Sequence, residues 1–507
     1  MLKKGVSLFL IVLMLLTSLL ACANGDGDAE SDIGDGAVST NEGGYNVGDA
    51  VGTRDYGGKV VTIGHCGHEQ YVGEISQDCI TGDAVKDSIY KRNVTVEERL
   101  NIDINNHTCS GGAWGAVNQI RIDAESGECS FQIVYSPMYI TSNLNKEGMY
   151  YDLNECEDID FTKEYWGEYA NEALEIGGIR HNATGALCLN FYEYVMATVV
   201  NTRILNENSM GEIPDLFKVV EDGKWTLEYQ TQLACDFYTD NGKEGKDEDD
   251  IAGFYGVAGG IFCDPYLSSG EVPLFKKDSS GYLAVNANNM EKLSRVADAV
   301  IALYTCEGAI MRSSQNSDVH PGQTFAAGKA FMTTLRFYDI RAYFGTITDK
   351  YIILPVPKLS DAQEGYKSYL HDGATSVAIP VTAPEEDVQM LGAVLEVLAS
   401  EGYRQVAPVY YETVLKMRYT SDPRNLEVLD DIMMNVVMDP LTPYGSTLKV
   451  GGNGPIAYWR NVVGAAVNDG TNIFGSTFSA EYIVQLNTVL NNASGLNTAY
   501  KEMNAGD

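Results

Sequence analysis

Short β-branched runs alternate with helix-length apolar stripes through most of the chain, and that alternation restricts the fold more than any other feature. Lys59 to Ile63 reads as a strand that ends at Gly64. Val85, Ile89, Val96 and Leu100 then fall on one helical face, and Ile102-Asp103-Ile104 is a second short strand. Val117, Ile120 and Ala124 mark another helix, followed by a strand from Phe131 to Tyr135 that runs into Ser136-Pro137. The pattern resumes with strands at Val195 to Val200 and Phe254 to Val257, with a helix over Trp225 to Phe237 between them. Met290 to Tyr304 is an amphipathic helix, and Phe325 to Met332 leads into an apolar strand. Strands at Tyr351 to Leu354 and Thr375 to Ile379 are each stopped by proline, and Val388, Leu391, Leu395 and Leu398 form a helical stripe. Such alternation predicts an α/β architecture with mainly parallel strands.

The first residues read as a secretory leader. Lys3 and Lys4 precede an apolar stretch, Leu8 to Leu16, that is too short to span a membrane. Leu19-Leu20-Ala21-Cys22 closes the segment and resembles the lipobox of bacterial lipoproteins. The resemblance implies cleavage after residue 21, acylation of Cys22, and a chain held on the extracellular face of the membrane through a lipid anchor. Several acyl chains would hold it firmly, because each buried methylene contributes about 0.8 kcal/mol. Residues 22–55 are rich in Gly, Asp, Glu, Ser and Asn, with Arg54 the single base, and read as a flexible tether.

The 507 residues exceed one ordinary domain and predict two or three domains or one two-lobed unit. With 70 acids against 35 Lys and Arg, the net charge of -35 argues against nucleic-acid binding, which needs a basic face. Ten cysteines include Cys22, leaving an odd nine with no Cys-x-x-Cys pair, so buried or idle thiols are expected. His65-Cys66-Gly67-His68 places three metal-capable side chains together, but a zinc site needs three or four ligands in fixed geometry. A polar loop is expected there, with no metal and no cofactor. The acids of residues 239–250 lack the spacing of a calcium loop and read as solvated.

The order of elements resembles the extracellular solute-binding proteins, family 1 and carbohydrate type, of bacterial ABC importers. Phe131 to Tyr135 followed by Tyr150-Tyr-Asp-Leu-Asn154, Val199 to Leu205, and Ile213-Pro214 with Trp225-Thr226 carry part of it. Phe325-Ala-Ala-Gly-Lys-Ala-Phe-Met332 is the most specific match, and Ile353 to Pro357, Gly373 to Pro380 and Tyr410 to Thr413 extend it. The resemblance implies a two-lobed periplasmic-binding-protein-like fold of type II, with ligand held between lobes joined by crossing segments. Lobe one is expected at 56–195 plus 373–408, and lobe two at 196–372 plus 409–507.

That family implies a monomer that captures a carbohydrate, with an oligosaccharide expected, and delivers it to ABC permease transmembrane subunits, without chemistry. A surface glycan-active enzyme or a ligand sensor on the same fold is the alternative, although no Gly-x-Ser-x-Gly, His-Glu-x-x-His or P-loop occurs. Sugars need aromatic planes for their ring faces and carboxylates, amides or Arg for their hydroxyls. Position in the family nominates Ser136 and Tyr139 after the Phe131 strand, and Tyr192 and Tyr194 before the first crossing. Asp264 and Tyr266 in a lobe-two turn, Tyr338 and Asp339 after the Met332 strand, Asp372 at the second crossing, and Trp459 with Arg460 complete the expected set.

Overall fold

A computed structural model describes residues 45–68, 74–75, 79–208, 213–247, 249–286, 289–313, 320–412, 422, 424–445, 448, 455–469 and 476–506. The leader, Cys22 and residues 23–44 of the expected tether lie outside the described residues. The chain runs through β1 (Lys59–His65), β2 (Ile102–Thr108), β3 (Ile133–Pro137), β4 (Met196–Asn201) and β5 (Ala252–Ala258). A hairpin, β6 (Phe275–Lys277) and β7 (Leu283–Val285), precedes β8 (Ala309–Ser313), β9 (Ala330–Arg336) and β10 (Tyr351–Leu354). Two-residue β11 (Ser368–Tyr369), then β12 (Thr375–Ala378) and β13 (Val436–Val437), complete the strands of the described residues.

Two sheets result. The first has the order β12-β3-β1-β2 and the second β10-β4-β9-β5-β8. β1 is parallel to β2 and β3, and β5 is parallel to β8 and β9, as the strand–helix alternation requires. The antiparallel members follow the crossings. β12 runs against β3, and β4 runs against β9 and β10. The crossing backbones pair with each other: Val195 bridges Leu370, and the His371 N–H donates to the Tyr194 carbonyl at 3.2 Å. β13 adds a third passage, parallel to β11.

Helices cover the sheets, and one of them departs from the sequence reading. The helix Val388–Glu401 was expected to bury one stripe, yet every residue except Gln389 is buried. Its buried Glu396 is satisfied by Trp166 Nε1 at 2.7 Å and the Tyr165 hydroxyl at 2.5 Å. Those donors are neutral, so burial pushes the Glu396 carboxyl up to about 7. The helix Ala84–Leu100 matches its predicted stripe, with Asp83 capping its first N–H groups.

The tether reading needs correction at its end. Residues 45–55 pack on the protein: Tyr45 lies against Tyr403 and Tyr411, and Val51 is buried. Asp49 pairs with Arg99, and Arg54 forks onto Asp158 with Nη1 at 2.6 Å. These ion pairs are long-range contacts that composition alone does not reveal. The stretch from 409 onward, expected in lobe two, also touches residues expected in lobe one. The Tyr444 hydroxyl donates to Leu174 O at 2.7 Å, and Tyr500 packs on His181, both beside the first sheet. The β6–β7 hairpin reaches the same side, where the Gly177 N–H donates to Gly281 O at 3.0 Å. A side chain at Gly177 would run into the Tyr282 ring, and its φ of +60° already favours glycine.

Candidate functional site

In open α/β sheets ligands lie beyond the carboxyl ends of the parallel strands. Here those ends meet the crossings. Past β3, the Tyr139 N–H donates to Asp372 O at 3.2 Å, and past β9, the Phe337 N–H donates to Val195 O at 3.1 Å. The side chains at this junction come from both sheets. Glu193 is buried and accepts from Arg341 Nε at 2.5 Å; burial raises its carboxyl against the pull of that guanidinium.

Arg336 ends β9 and forks onto Asp339, with Nε to Oδ2 at 3.0 Å and Nη2 to Oδ1 at 2.8 Å. The Arg336 guanidinium sits over the rings of Tyr194 (4.9 Å) and Tyr338 (5.3 Å). His371 lies edge-on to Tyr194, ring centroids 5.7 Å apart. Its Nδ1 accepts the Gly373 N–H at 2.8 Å, which leaves the ring proton on Nε2. Burial and the nearby guanidinium groups of Arg336 and Arg460 hold His371 well below its usual pKa, so the ring is neutral. Among the described residues His371 Nε2 and Ser136 Oγ, both buried, have no hydrogen-bond partner. A buried orphan donor costs free energy unless something satisfies it.

A cavity of about 650 Å³ adjoins this junction. It is bounded by the helix Glu168–Leu174, the segment from Asp264 to Lys277, and the passages at Tyr369 and Val437–Thr442. Its volume suits a small-molecule site. Leu267, Phe275 and Met438 form apolar wall, and Tyr169, 52% exposed, stands at its edge. Asp264 links cavity and junction. Its carboxylate accepts from Arg460 Nε at 3.0 Å on both oxygens, yet burial pushes it up to about 6. Tyr369 lies 6.3 Å from His371, ring to ring.

The expected residues therefore divide. Ser136, Tyr139, Tyr194, Tyr338, Asp339 and Asp372 gather at the junction. Asp264 and Arg460 form the pair beside the cavity. Tyr192, Tyr266 and Trp459 are placed in packing. Tyr192 is buried against Phe191 and Tyr411, and the Tyr266 hydroxyl lies 3.2 Å from Thr334 Oγ1. Trp459 is buried with Nε1 donating to Cys263 O at 3.2 Å. With 31 tyrosines, most aromatic side chains serve the core.

Arg336 and Arg341 escaped the sequence reading. The i,i+3 spacing of Arg336 and Asp339 at a strand end was the available signal. The cavity wall offered none, since its segments are far apart in sequence. His65, weighed earlier, is buried with Nδ1 accepting the Gly67 N–H at 3.1 Å and Nε2 3.5 Å from Thr108 Oγ1. All nine cysteines after Cys22 are free thiols. In the acidic loop, Asp250 turns inward to accept the Asn241 and Asp247 N–H groups.

No protein-family model matches the chain, and no curated protein sequence does. Solved structures do. A sugar transporter from Rhizobium etli in an open conformation is 13% identical with a TM-score of 0.55, over 86% of this chain and 99% of that one. The cyclic α-maltosyl-1,6-maltose binding protein of Arthrobacter globiformis is 13% identical with a TM-score of 0.54, over 88% and 100%. The GacH receptor of Streptomyces glaucescens, solved unliganded and with acarbose, gives 13% and 0.52, over 88% and 98%. The chain has the two-lobed α/β fold of these solute-binding proteins. At such identities the likeness defines the fold, and ligand and role have to be argued from the site.

Proposed function

We propose that this protein is the substrate-binding lipoprotein of an ABC importer, anchored outside the cell through Cys22, that reversibly captures a carbohydrate between its lobes. The lobes are proposed at 56–195 plus 373–408 and 196–372 plus 409–507, with the terminal stretch leaning on both. The carrying observation is the cavity of about 650 Å³ bounded by segments of both lobes and by the crossings. A ligand there touches all three, so the closed state gains contacts that the open state lacks. The aromatic edge of Tyr169 and the apolar wall suit ring faces, and Asp264, with Ser136 and His371 in the adjoining junction, suits hydroxyls. The leader motif and the fold support delivery to a permease, and the same fold supports binding without turnover.

The test is a thermal-shift screen of the purified protein against oligosaccharides and peptides. A sugar at a hundredfold excess over Kd stabilises the native state by about 2.7 kcal/mol. If no sugar moves the melt while a peptide does, the carbohydrate reading falls. Turnover of a glycan by the pure protein would sink the binding-only reading.

A further inference from the structure

We infer that the captured glycan is acidic, carrying carboxylate or sulfate groups toward one wall of the cavity; this rests on the carbohydrate reading. The observation is a local loss of the chain's acidic excess: among the residues that line the cavity four lysines meet four acids, Glu172, Asp264, Glu271 and Asp439. Acids outnumber bases two to one in the chain, yet Lys276, Lys277, Lys292 and Lys367 all line this one cavity. The acids that line it are largely engaged. Asp264 is held by Arg460, Glu271 lies 3.3 Å from the Lys292 ammonium, and Asp439 accepts the Phe275 N–H at 3.2 Å.

The lysines are less so. Lys277 donates to the Glu172 carbonyl, a neutral acceptor. Among the described residues neither Lys276 nor Lys367 has an ion-pair partner. Lys276 is exposed and Lys367 half-buried, at the edge where solvent meets the apolar wall. Three ammonium groups thus face the cavity against the carboxylates of Glu172 and Asp439, the latter held by a neutral backbone donor, which leaves a surplus of positive charge. A neutral sugar leaves that surplus unanswered. An acidic one lays a ring face on Phe275 and Met438 and turns its anions to the lysines, where each charge-assisted bond is stronger than a neutral one.

Isothermal titration of the purified protein decides it, with four probes: a hexuronate oligosaccharide, a sulfated one, a neutral one of equal length, and inorganic sulfate. The acidic oligosaccharides are expected to bind at least tenfold tighter than the neutral one, with affinity falling as salt rises. The K276Q/K367Q double variant should lose that margin while keeping the wild-type melting temperature. Which acidic probe binds tighter tells carboxylate from sulfate recognition. Equal binding of the neutral sugar, unchanged in the double variant, overturns the acidic inference and leaves the carbohydrate reading standing. Inorganic sulfate binding as tightly as the oligosaccharides shows a small-anion site and overturns the inference too. No binding by any glycan removes both readings together.

Discussion

The two sheets share a plan, and four of their buried acids are kept in two contrasting ways. In each, one strand lies between two parallel neighbours, β1 in the first and β5 in the second, and a strand beside a crossing pairs antiparallel, β12 with β3 and β4 with β9. On the first-sheet side, Glu74 accepts from the Thr375 hydroxyl and Asn190 Nδ2, both at 2.6 Å, and Glu396 from Tyr165 and Trp166. On the second-sheet side, Asp339 and Asp264 are forked by Arg336 and Arg460. Neutral donors leave a carboxyl free to hold its proton; a guanidinium fixes the charge. The junction therefore sets polar, uncharged groups such as Ser136 and Thr375 beside pre-organised ion pairs such as Arg336–Asp339 and Arg341–Glu193. A ligand with both hydroxyls and anions suits that mixture.

The sharpest break in this comparison comes from removing a guanidinium. Asp339 is almost fully buried, so Arg336→Ala strands its charge. Losing one partner of a buried pair costs about 3–5 kcal/mol. Urea unfolding should show a loss of that size, with the midpoint shifted and the slope kept. A loss below about 1 kcal/mol would mean that the ion pair is not built as described. Deleting one of the uncharged groups should behave in the opposite way. Ser136 Oγ has no partner among the described residues, so Ser136→Ala leaves stability unchanged or raises it by up to about 1 kcal/mol. Its cost should fall on the ligand, as about a five- to tenfold weaker Kd by titration. Lost stability with unchanged affinity would place the hydroxyl in the fold alone.

Much of this arrangement was hidden in the sequence, for reasons that differ by residue. The strand at Tyr351 to Leu354 was legible to its ends because Pro355 cannot continue a ladder. Ser136, Tyr194 and Asp372 were reachable because strand ends and crossings are local features that the resemblance orders. Tyr192 and Trp459 were chosen by the same logic, but burial among rings and carbonyls is settled by distant partners such as Tyr411 and Cys263. The packing of residues 45–55 escaped because composition reports low apolar content and not the Asp49–Arg99 and Arg54–Asp158 pairs. The lysines of the cavity were visible singly. The hairpin Phe275–Val285, folded back toward the helix Glu168–Leu174, carries Lys276 and Lys277 to the cavity that Lys292 and Lys367 reach from other segments.

The effect on pH dependence is read over a narrow span, pH 7 to 8.5, in which Glu74 contributes about 1 kcal/mol. Burial pushes Glu74 up to about 8 and Glu396 up to about 7, from an ordinary 4.5. A carboxyl raised in the folded state binds its proton more tightly there than in the unfolded chain. Its contribution to stability is complete below pH 4.5 and is lost as pH rises through the folded value. Stability should therefore decline between about pH 5 and 8.5, with Glu74 dominating the upper end of that window. Glu74→Gln keeps an acceptor for Thr375 and Asn190 and carries no charge at any pH. Urea midpoints of the variant should be flatter than wild type between pH 7 and 8.5, with the two proteins converging near pH 5. A variant that keeps the full wild-type slope would show that Glu74 enters the folded state ionised. The neutral-donor pattern would then hold for Glu396 alone.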